Sequence, residues 1–188
     1  MMKISRKKNM HVLFLDTETT GLTAKGYLPS EYEKQPRLVQ LAFVVMNDER
    51  KEVEFDLTIK PNGYTIPTDA SDIHGITTDV AMTKGIPISD AITILHSHLP
   101  GIDRLVCHNV TFDDTVIQAE LIRGGYWECF KLWLQPERFC TMREMATDRR
   151  RFRSLNECHL QVAGVPIENA HNAMGDVIAM MTVYDSLN

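Results

Sequence analysis

The hydrophobic positions of this chain form short apolar runs near its beginning, which predict the strands of a sheet. Residues 11–15 (HVLFL) have no polar interruption, which is typical of a strand buried on both faces. Residues 38–46 (LVQLAFVVM) and 52–59 (EVEFDLTI) predict two more strands, and the polar turn at 47–50 favours a hairpin between them. Residues 104–107 (RLVC) predict a fourth, buried strand.

Further along the chain, apolar residues recur at helical spacing. This spacing predicts helices over 88–99, 112–123, 154–163 and 173–187. Ser89 is the predicted N-cap of the first helix, and Gly124 follows the second. Residues 22–36 predict a long surface loop, because Gly and Pro interrupt them. Strands come first and helices later with some βα alternation, so we expect an α/β fold with a mixed sheet covered by helices.

The composition is that of an ordinary globular protein. The chain has 188 residues, 44% of them hydrophobic and 24% charged. A chain of this size buries roughly 70% of the surface that its unfolded form exposes, so it needs no disulfide or structural metal to fold. No apolar run approaches the ~20 residues that span a bilayer, and the N-terminus lacks the apolar core of a signal peptide. The four cysteines show no zinc-ligand spacing. We therefore expect a reduced, cytoplasmic protein with no membrane association.

Positive charge is concentrated in two segments, although the net charge is −5. Residues 1–10 contain four basic side chains and no acidic one, which predicts a basic N-terminal extension before a single domain at 11–188. The second basic segment, 123–153, includes the run 149–153 (RRRFR). This run suits the phosphates of an incoming nucleic-acid strand, with Phe152 stacking on a base, or it is a solvated loop.

Two carboxylates follow the first strand. Asp16 and Glu18 are two residues apart, so on a strand both side chains leave the same face of the sheet. Side-by-side carboxylates repel, and each resists ionisation beside the other. A divalent cation such as Mg²⁺ or Mn²⁺ removes that repulsion and prefers oxygen ligands. A solvated strand end is the alternative.

Two later carboxylates lie at predicted helix starts. Asp113 comes directly after the strand at 104–107, where it either caps the helix or joins a site, and its neighbour Asp114 is predicted to face solvent. Asp176 falls on the apolar stripe of the last helix, so its burial requires a partner. His171 and Asp176 converge only if His171 lies in the loop before that helix, since five helical positions turn them roughly 140° apart.

In this order and spacing, the motifs resemble those of the DEDDh 3'-5' exonucleases, the family of the epsilon proofreading subunit of replicative DNA polymerase. The resemblance runs over nearly the whole chain. Its motifs are DTETTGL (16–22), IHGIT (73–77), LVCHNVTFD (105–113), FCTM (139–142), SLNECHLQVAGV (154–165) and HNAMGD (171–176). His171 stands where the related DEDDy branch has a Tyr at a different spacing, so the resemblance is to the DEDDh branch.

The resemblance implies a ribonuclease H-like fold, a mixed five-stranded sheet flanked by helices. It implies that Asp16, Glu18, Asp113 and Asp176 hold two divalent ions, Mg²⁺ or Mn²⁺, with His171 as the general base that takes a proton from water. It further implies supporting or substrate-binding roles, with ordinary packing as the alternative, for Thr17, Thr19, Thr20, His74, Asn109 and Phe112.

The implied substrate is the 3' end of a single-stranded or frayed nucleic acid, which is shortened with release of nucleoside 5'-monophosphates. The epsilon-like spacing and the HGIT stretch favour DNA over RNA-end trimming. A catalytically inactive interaction module is a further alternative, which the presence of all five site residues disfavours. Some relatives dimerise and epsilon binds a polymerase, so both partners are open. Only twelve residues follow Asp176, so we expect no polymerase-tethering C-terminal tail.

Overall fold

The computed structural model describes residues 10–48, 50–146, 151–168 and 171–187. The basic extension predicted at 1–10 lies outside these residues except for Met10, and so do the first two arginines of the run at 149–153. None of the helices within the described ranges combines the length and apolarity that crossing a membrane requires.

The described residues form one sheet and a series of helices. The strands are β1 (His11–Thr19), β2 (Leu38–Asn47), β3 (Arg50–Thr58), β4 (Arg104–Cys107) and β5 (Glu137–Cys140). The helices are α1 (Thr68–His74), α2 (Thr78–Lys84), α3 (Ile88–His98), α4 (Val110–Gly124), α5 (Trp127–Trp133), α6 (Thr141–Glu144), α7 (Leu155–Ala163) and α8 (Ala173–Asp185), and a 3-10 turn covers Tyr32–Lys34.

The five strands are ordered β3-β2-β1-β4-β5 across the sheet. β1, β2 and β3 form an antiparallel meander, whereas β4 and β5 run parallel to β1. The predicted mixed five-stranded sheet flanked by helices is therefore confirmed. Because β1, β4 and β5 are parallel, their C-terminal ends lie at one edge of the sheet, where loops and helix starts meet.

The side chains of β1 point alternately to the two faces of the sheet, and each face has its own apolar layer. Leu13 and Leu15 pack with the layer that contains residues of α3, α4 and α5. Val12 and Phe14 pack on the other face against residues of α8. Since side chains alternate along a strand, Asp16 and Glu18 continue the α8 face, while Thr17 continues the α4 face.

The predicted strands and helices are present, with changed ends and one wrong cap. β1 extends to Thr19, so Asp16 and Glu18 lie within the strand rather than after it. α3 begins after Pro87, and Ser89 is inside the helix with its hydroxyl bonded to Asp90, so the predicted cap at Ser89 is wrong.

Candidate active site

Three carboxylates meet where the end of β1 faces the start of α8. Asp16, Glu18 and Asp176 each place a carboxylate oxygen within 4.8 Å of the others, and all three are half-buried. Asp16 and Glu18 share one face of β1, as their spacing predicted, and Asp176 lies in the first turn of α8. The structure therefore brings together residues that are up to 160 positions apart in the chain.

Two contacts fix the start of α8 over the sheet. Asn172 caps the helix, with Oδ1 accepting a hydrogen bond from the Gly175 N–H at 3.2 Å. Gln40 of β2 is buried, and its Oε1 accepts from the Ala173 N–H at 3.3 Å. Both contacts satisfy N–H groups that a helix start leaves unpaired, and they hold Asp176 opposite the acids of β1. Gln40 was not assigned a role from sequence, since nothing local to β2 indicates a contact with Ala173.

Asp113 approaches the acids of β1 from the opposite face of the sheet. It lies in the first turn of α4 and is only 2% exposed. The Thr17 hydroxyl donates a hydrogen bond to its Oδ1 at 2.8 Å. Asp113 is not one of the three carboxylates that lie within 4.8 Å of one another, but its charge acts on both Asp16 and Glu18. It borders the trio from the α4 side.

Burial and mutual repulsion raise the pKa values of these carboxyl groups. Burial is the largest cause for Asp16, whose pKa lies well above the usual range, and the charges of Asp113 and Asp176 add to it. Burial, Asp176 and Asp113 raise the pKa of Glu18 to about 8. Burial raises the pKa of Asp113 to about 7, although the hydrogen bond from Thr17 opposes the shift. Without a counter-charge, these carboxylates resist ionising together.

His171 lies in the loop before α8, as the convergence with Asp176 requires. Its backbone has φ 66°, and its N–H donates to Oδ2 of Asp176 at 3.3 Å. Burial raises the pKa of Asp176, while this hydrogen bond and the charge of the His171 imidazole lower it. His171 itself is exposed. An exposed imidazole beside the acids can exchange protons with a water molecule at the site.

A cleft of about 370 Å³ opens beside Glu18. Among the predicted substrate contacts, it is lined by Thr17, Thr19, His74 and Phe112. Its remaining lining residues are Glu18, Gly21, Leu22, Asp69, Ala70 and Ile73. The apolar side chains of Leu22 and Ile73 are 87% and 61% exposed at its mouth, so the cleft offers both hydrogen-bonding groups and an apolar surface.

Two of the predicted substrate contacts do not line this cleft. The Thr20 hydroxyl accepts a hydrogen bond from the Arg37 N–H at 2.9 Å, which ties the end of β1 to the start of β2. Asn109 is exposed and has a left-handed backbone, with φ 72°, at the N-cap of α4. Its backbone carbonyl accepts from the Phe112 N–H at 2.8 Å. Thr20 thus shapes the edge of the site through its hydroxyl, and Asn109 through its backbone.

Asp114 does not face solvent, so that expectation is wrong. Its Oδ1 accepts hydrogen bonds from the Trp133 indole at 2.7 Å and from the Arg138 guanidinium at 3.0 Å. Its side chain is 24% exposed. Asp114 is therefore held by α5 and β5, and it is not part of the acidic cluster formed by Asp16, Glu18 and Asp176.

The donor set at the β1 edge fits divalent metal ions. It consists of carboxylate oxygens, the ligands that Mg²⁺ and Mn²⁺ prefer. The crowding that raises the pKa values of Asp16 and Glu18 is relieved when a cation binds between them. The chemistry of the cluster thus points to a divalent metal centre.

This chain is similar to known exonucleases in both sequence and structure. A stretch of 112 residues is 33% identical to the DNA polymerase III subunit epsilon of Buchnera aphidicola subsp. Schizaphis graminum (strain Sg), covering 58% of this chain and 44% of that protein. E. coli Exonuclease I in complex with a dT13 oligonucleotide matches with a TM-score of 0.71 and 24% identity, over 95% of this chain and 40% of that one. Exonuclease I from Methylocaldum szegediense matches with a TM-score of 0.71 and 21% identity, over 95% of this chain and 40% of that one.

The sheet order and the acidic edge define a nuclease fold of the ribonuclease H-like class. The exonuclease family model, RNase_T, matches residues 13–184. The chain therefore belongs to the exonuclease family, and the resemblance to its DEDDh branch is confirmed. The chain spans less than half the length of the relatives described above.

Proposed function

We propose that this chain is a metal-dependent 3'-5' exonuclease, formed by one domain over residues 11–188, that removes nucleoside 5'-monophosphates from the 3' end of single-stranded or frayed DNA. The observation that carries the proposal is the convergence of Asp16, Glu18 and Asp176 within 4.8 Å beside a nucleotide-sized cleft. Family membership supports the same activity.

Asp16, Glu18, Asp113 and Asp176 would hold two divalent ions, Mg²⁺ or Mn²⁺. When bound, these ions supply Lewis-acid stabilisation of the attacking water and of the departing 3' oxygen. A zinc-bound form of the E. coli Exonuclease I–single-stranded DNA complex supports metal binding in a protein of this fold. Thr17 contributes indirectly, because its hydroxyl fixes the Asp113 carboxylate.

His171 is the proposed general base. Its imidazole takes a proton from the attacking water, whose oxygen bonds to phosphorus as the bond from phosphorus to the 3' oxygen breaks. The departing 3' oxygen takes a proton from solvent. The products are a nucleoside 5'-monophosphate and a strand with a new 3' hydroxyl. The exposed position of His171 next to Asp176 supports this role, because the imidazole can return its proton to solvent between turnovers.

The cleft is the proposed site of the terminal nucleotide. Leu22, Ile73 and Phe112 offer apolar surface to the base, and the polar groups of Thr17, Thr19 and His74 lie along the same cleft. Burial lowers the pKa of His74, so its imidazole is neutral at pH 7 and presents no cation to the phosphate. At the rim of this site, Thr20 acts through its hydroxyl and Asn109 through its backbone carbonyl.

DNA is the favoured substrate, and RNA trimming is the alternative. Support for DNA comes from Exonuclease I, crystallised with dT13 and dA16 oligonucleotides, and from the epsilon subunit.

A polymerase subunit as partner rests on the epsilon likeness, and a homodimer is the alternative partner. A reducing cytoplasmic location is supported by the four cysteines, all of them buried free thiols.

A polarity assay tests the proposal. Matched DNA and RNA oligomers, labelled at either the 5' or the 3' end, are incubated with Mg²⁺ and with chelator. We expect a ladder that shortens from the 3' end of DNA, immediate loss of a 3' label, and no reaction with chelator. Faster shortening of RNA would favour end trimming, and no shortening of either polymer would favour an inactive interaction module.

A further inference from the structure

A short arginine segment, defined here as residues 151–153 (Arg151, Phe152 and Arg153), is fastened to the same edge of the sheet as the acidic cluster. The fastening group is His108, which follows β4 directly. One imidazole nitrogen, Nε2, lies 3.1 Å from the Arg153 carbonyl oxygen, and the other, Nδ1, lies 2.9 Å from the Thr141 hydroxyl. A half-buried side chain thus holds the backbone of an otherwise irregular segment.

The pairing of β1 with β4 places this segment beside the acids. Phe14 pairs with Val106 in parallel register. Asp16 and His108 both lie two residues beyond that pair, so they reach the same edge from neighbouring strands. The segment bound to His108 therefore borders the acidic cluster on its β4 side.

One wall of the cleft lies on the other side of the acids. This wall is α1, whose Ala70 packs with Val39 of β2. Since β2 and β4 flank β1 on opposite sides, the acidic cluster stands between the α1 wall of the cleft and the arginine segment, while Phe112 of α4 forms another wall. A strand whose terminal nucleotide occupies the cleft and whose last phosphodiester meets the acids continues toward the segment.

The side chains of Arg151 and Phe152 are exposed to a ligand, whereas Arg153 is half-buried and its guanidinium donates a hydrogen bond to Oε1 of the exposed Gln161. The Arg151 side chain is 82% exposed and lies 3.5 Å from Glu157, whose other carboxylate oxygen accepts hydrogen bonds from Ser154. An exposed ion pair of this kind adds little to stability, so a phosphate can replace the glutamate as the partner of Arg151. Phe152, between the two arginines, is 49% exposed, and an aromatic ring flanked by cations is typical of single-strand binding surfaces.

We propose that the arginine segment binds the phosphodiester backbone of the single strand upstream of the scissile bond, and that His108 is the residue that positions it. This inference rests on the proposed exonuclease function and adds a track for the strand beyond the terminal nucleotide. Arg151 and Arg153 supply the charge, Phe152 stacks on a base, and the contact is indifferent to base sequence.

Binding is tested without cleavage by adding chelator and measuring the fluorescence anisotropy of a labelled dT16 oligomer over a range of salt concentrations. The double variant Arg151→Ala/Arg153→Ala should bind about tenfold more weakly at low salt, and its log–log salt dependence should be shallower by about 1.4, or about 0.7 for each lost phosphate contact. Lys131→Ala is the matched control, because Lys131 is also an exposed cation paired with an exposed glutamate, at 2.8 Å, but on α5. It should leave both quantities unchanged.

A substrate with no upstream phosphate separates this proposal from the activity itself. Thymidine 5'-monophosphate p-nitrophenyl ester should be hydrolysed equally by the wild-type chain and the double variant. An unchanged affinity and salt slope in the double variant would overturn the role of the segment, even if the ester is hydrolysed. Weaker binding of dT16 by the double variant, together with a wild-type chain that hydrolyses neither the ester nor the oligomer, would instead contradict the proposed function alone.

The role of His108 has its own readout. His108→Ala should weaken binding of dT16 in the wild-type background but add nothing in the Arg151→Ala/Arg153→Ala background, whereas a merely structural role would weaken binding in both. His108→Gln, which keeps an N–H donor, should restore part of the affinity. Equal losses in both backgrounds would contradict the positioning role.

Discussion

Thr17 donates a hydrogen bond from Oγ1 to Oδ1 of Asp113 at 2.8 Å, and this contact joins the two faces of the sheet at the acidic edge. Thr17 lies between Asp16 and Glu18 in sequence, but its side chain leaves the opposite face of β1. It therefore reaches Asp113 on α4, while its two neighbours face Asp176 on α8. One strand thus sets the positions of carboxylates that come from both layers.

Thr17→Val tests the contact between Thr17 and Asp113, because Val has nearly the same shape but no hydroxyl. Loss of the hydrogen bond should raise the pKa of Asp113 above its present value of about 7 and leave the carboxylate free to turn. We expect kcat/KM for a DNA oligomer to fall roughly 10–100-fold, the usual cost of losing a group that orients a metal ligand.

Thr17→Ser is the matched control, since it keeps the hydroxyl and should retain most of the activity. The pH–rate profile of Thr17→Val should also shift toward higher pH, because Asp113 ionises later. A Thr17→Val variant with wild-type activity at pH 7 would show that the orientation of Asp113 does not depend on this bond.

The loop position of His171 allows a second test, through His171→Ala. Loss of a general base should slow turnover by about 10²–10⁴-fold while leaving metal binding nearly unchanged. His159→Ala is a suitable control, because its ring nitrogen Nδ1 lies 3.0 Å from the Val165 carbonyl oxygen and His159 belongs neither to the three converging carboxylates nor to the lining of the cleft. Single-turnover rates measure turnover and Mn²⁺ titrations measure metal binding, each in the wild type, in His171→Ala and in His159→Ala. Near-wild-type turnover in His171→Ala at neutral pH would remove His171 from the mechanism.

The raised pKa values also predict how stability changes with pH when no metal is bound. Burial raises the pKa of Glu18 to about 8 and that of Asp113 to about 7, whereas unfolded carboxyl groups titrate near pH 4. The folded chain therefore holds more protons than the unfolded chain between about pH 4 and 8, and its stability falls as pH rises through that window. Thermal melting in chelator should show a Tm about 5–10 °C lower at pH 8 than at pH 5.5.

Two further thermal melting experiments distinguish the titration of these carboxyl groups from a general effect of pH on stability. Glu18→Gln removes one of the repelling charges, so it should melt higher than the wild-type chain at pH 8 and show a weaker pH dependence. Saturating Mg²⁺ should raise the wild-type Tm most at pH 8, where more of the carboxyl groups have lost their protons to solvent and can bind the metal. A Tm that rises with pH in chelator would contradict the raised pKa values.

Parts of this site could be predicted from the sequence because local geometry determines them. The spacing of Asp16 and Glu18 on a strand places both on one face whatever the rest of the fold does. The five-residue interval between His171 and Asp176 excludes a continuous helix through both, and α8 does begin at Ala173. That these local motifs converge on one site was expected from the resemblance to DEDDh exonucleases.

Other parts depend on contacts between distant segments. α1 was not predicted, because Ala70 and His74 are its only buried residues among seven and no apolar period marks it. As a result, the local pattern did not predict the wall that α1 gives to the cleft, and of its residues only His74 was expected at the site, from the resemblance. The contact of Gln40 with Ala173 spans 133 residues and follows only from the packing of α8 on β2. Asp114 was expected in solvent because its stripe on α4 is polar, whereas Trp133 and Arg138 cover it.

The central claim is that Asp16, Glu18, Asp113 and Asp176 form a divalent metal centre, and metal binding itself tests it most directly. Mn²⁺ is titrated by calorimetry at pH 8 into the wild-type chain, into Asp16→Ala, and into the control Asp79→Asn, which changes an exposed acid on α2. We predict two bound ions in the wild type and the control, and in Asp16→Ala an affinity reduced at least about 10–100-fold, together with loss of exonuclease activity. A wild-type chain that binds no Mn²⁺ at millimolar concentration, or an Asp16→Ala variant that binds it as tightly as the control, would contradict the claim.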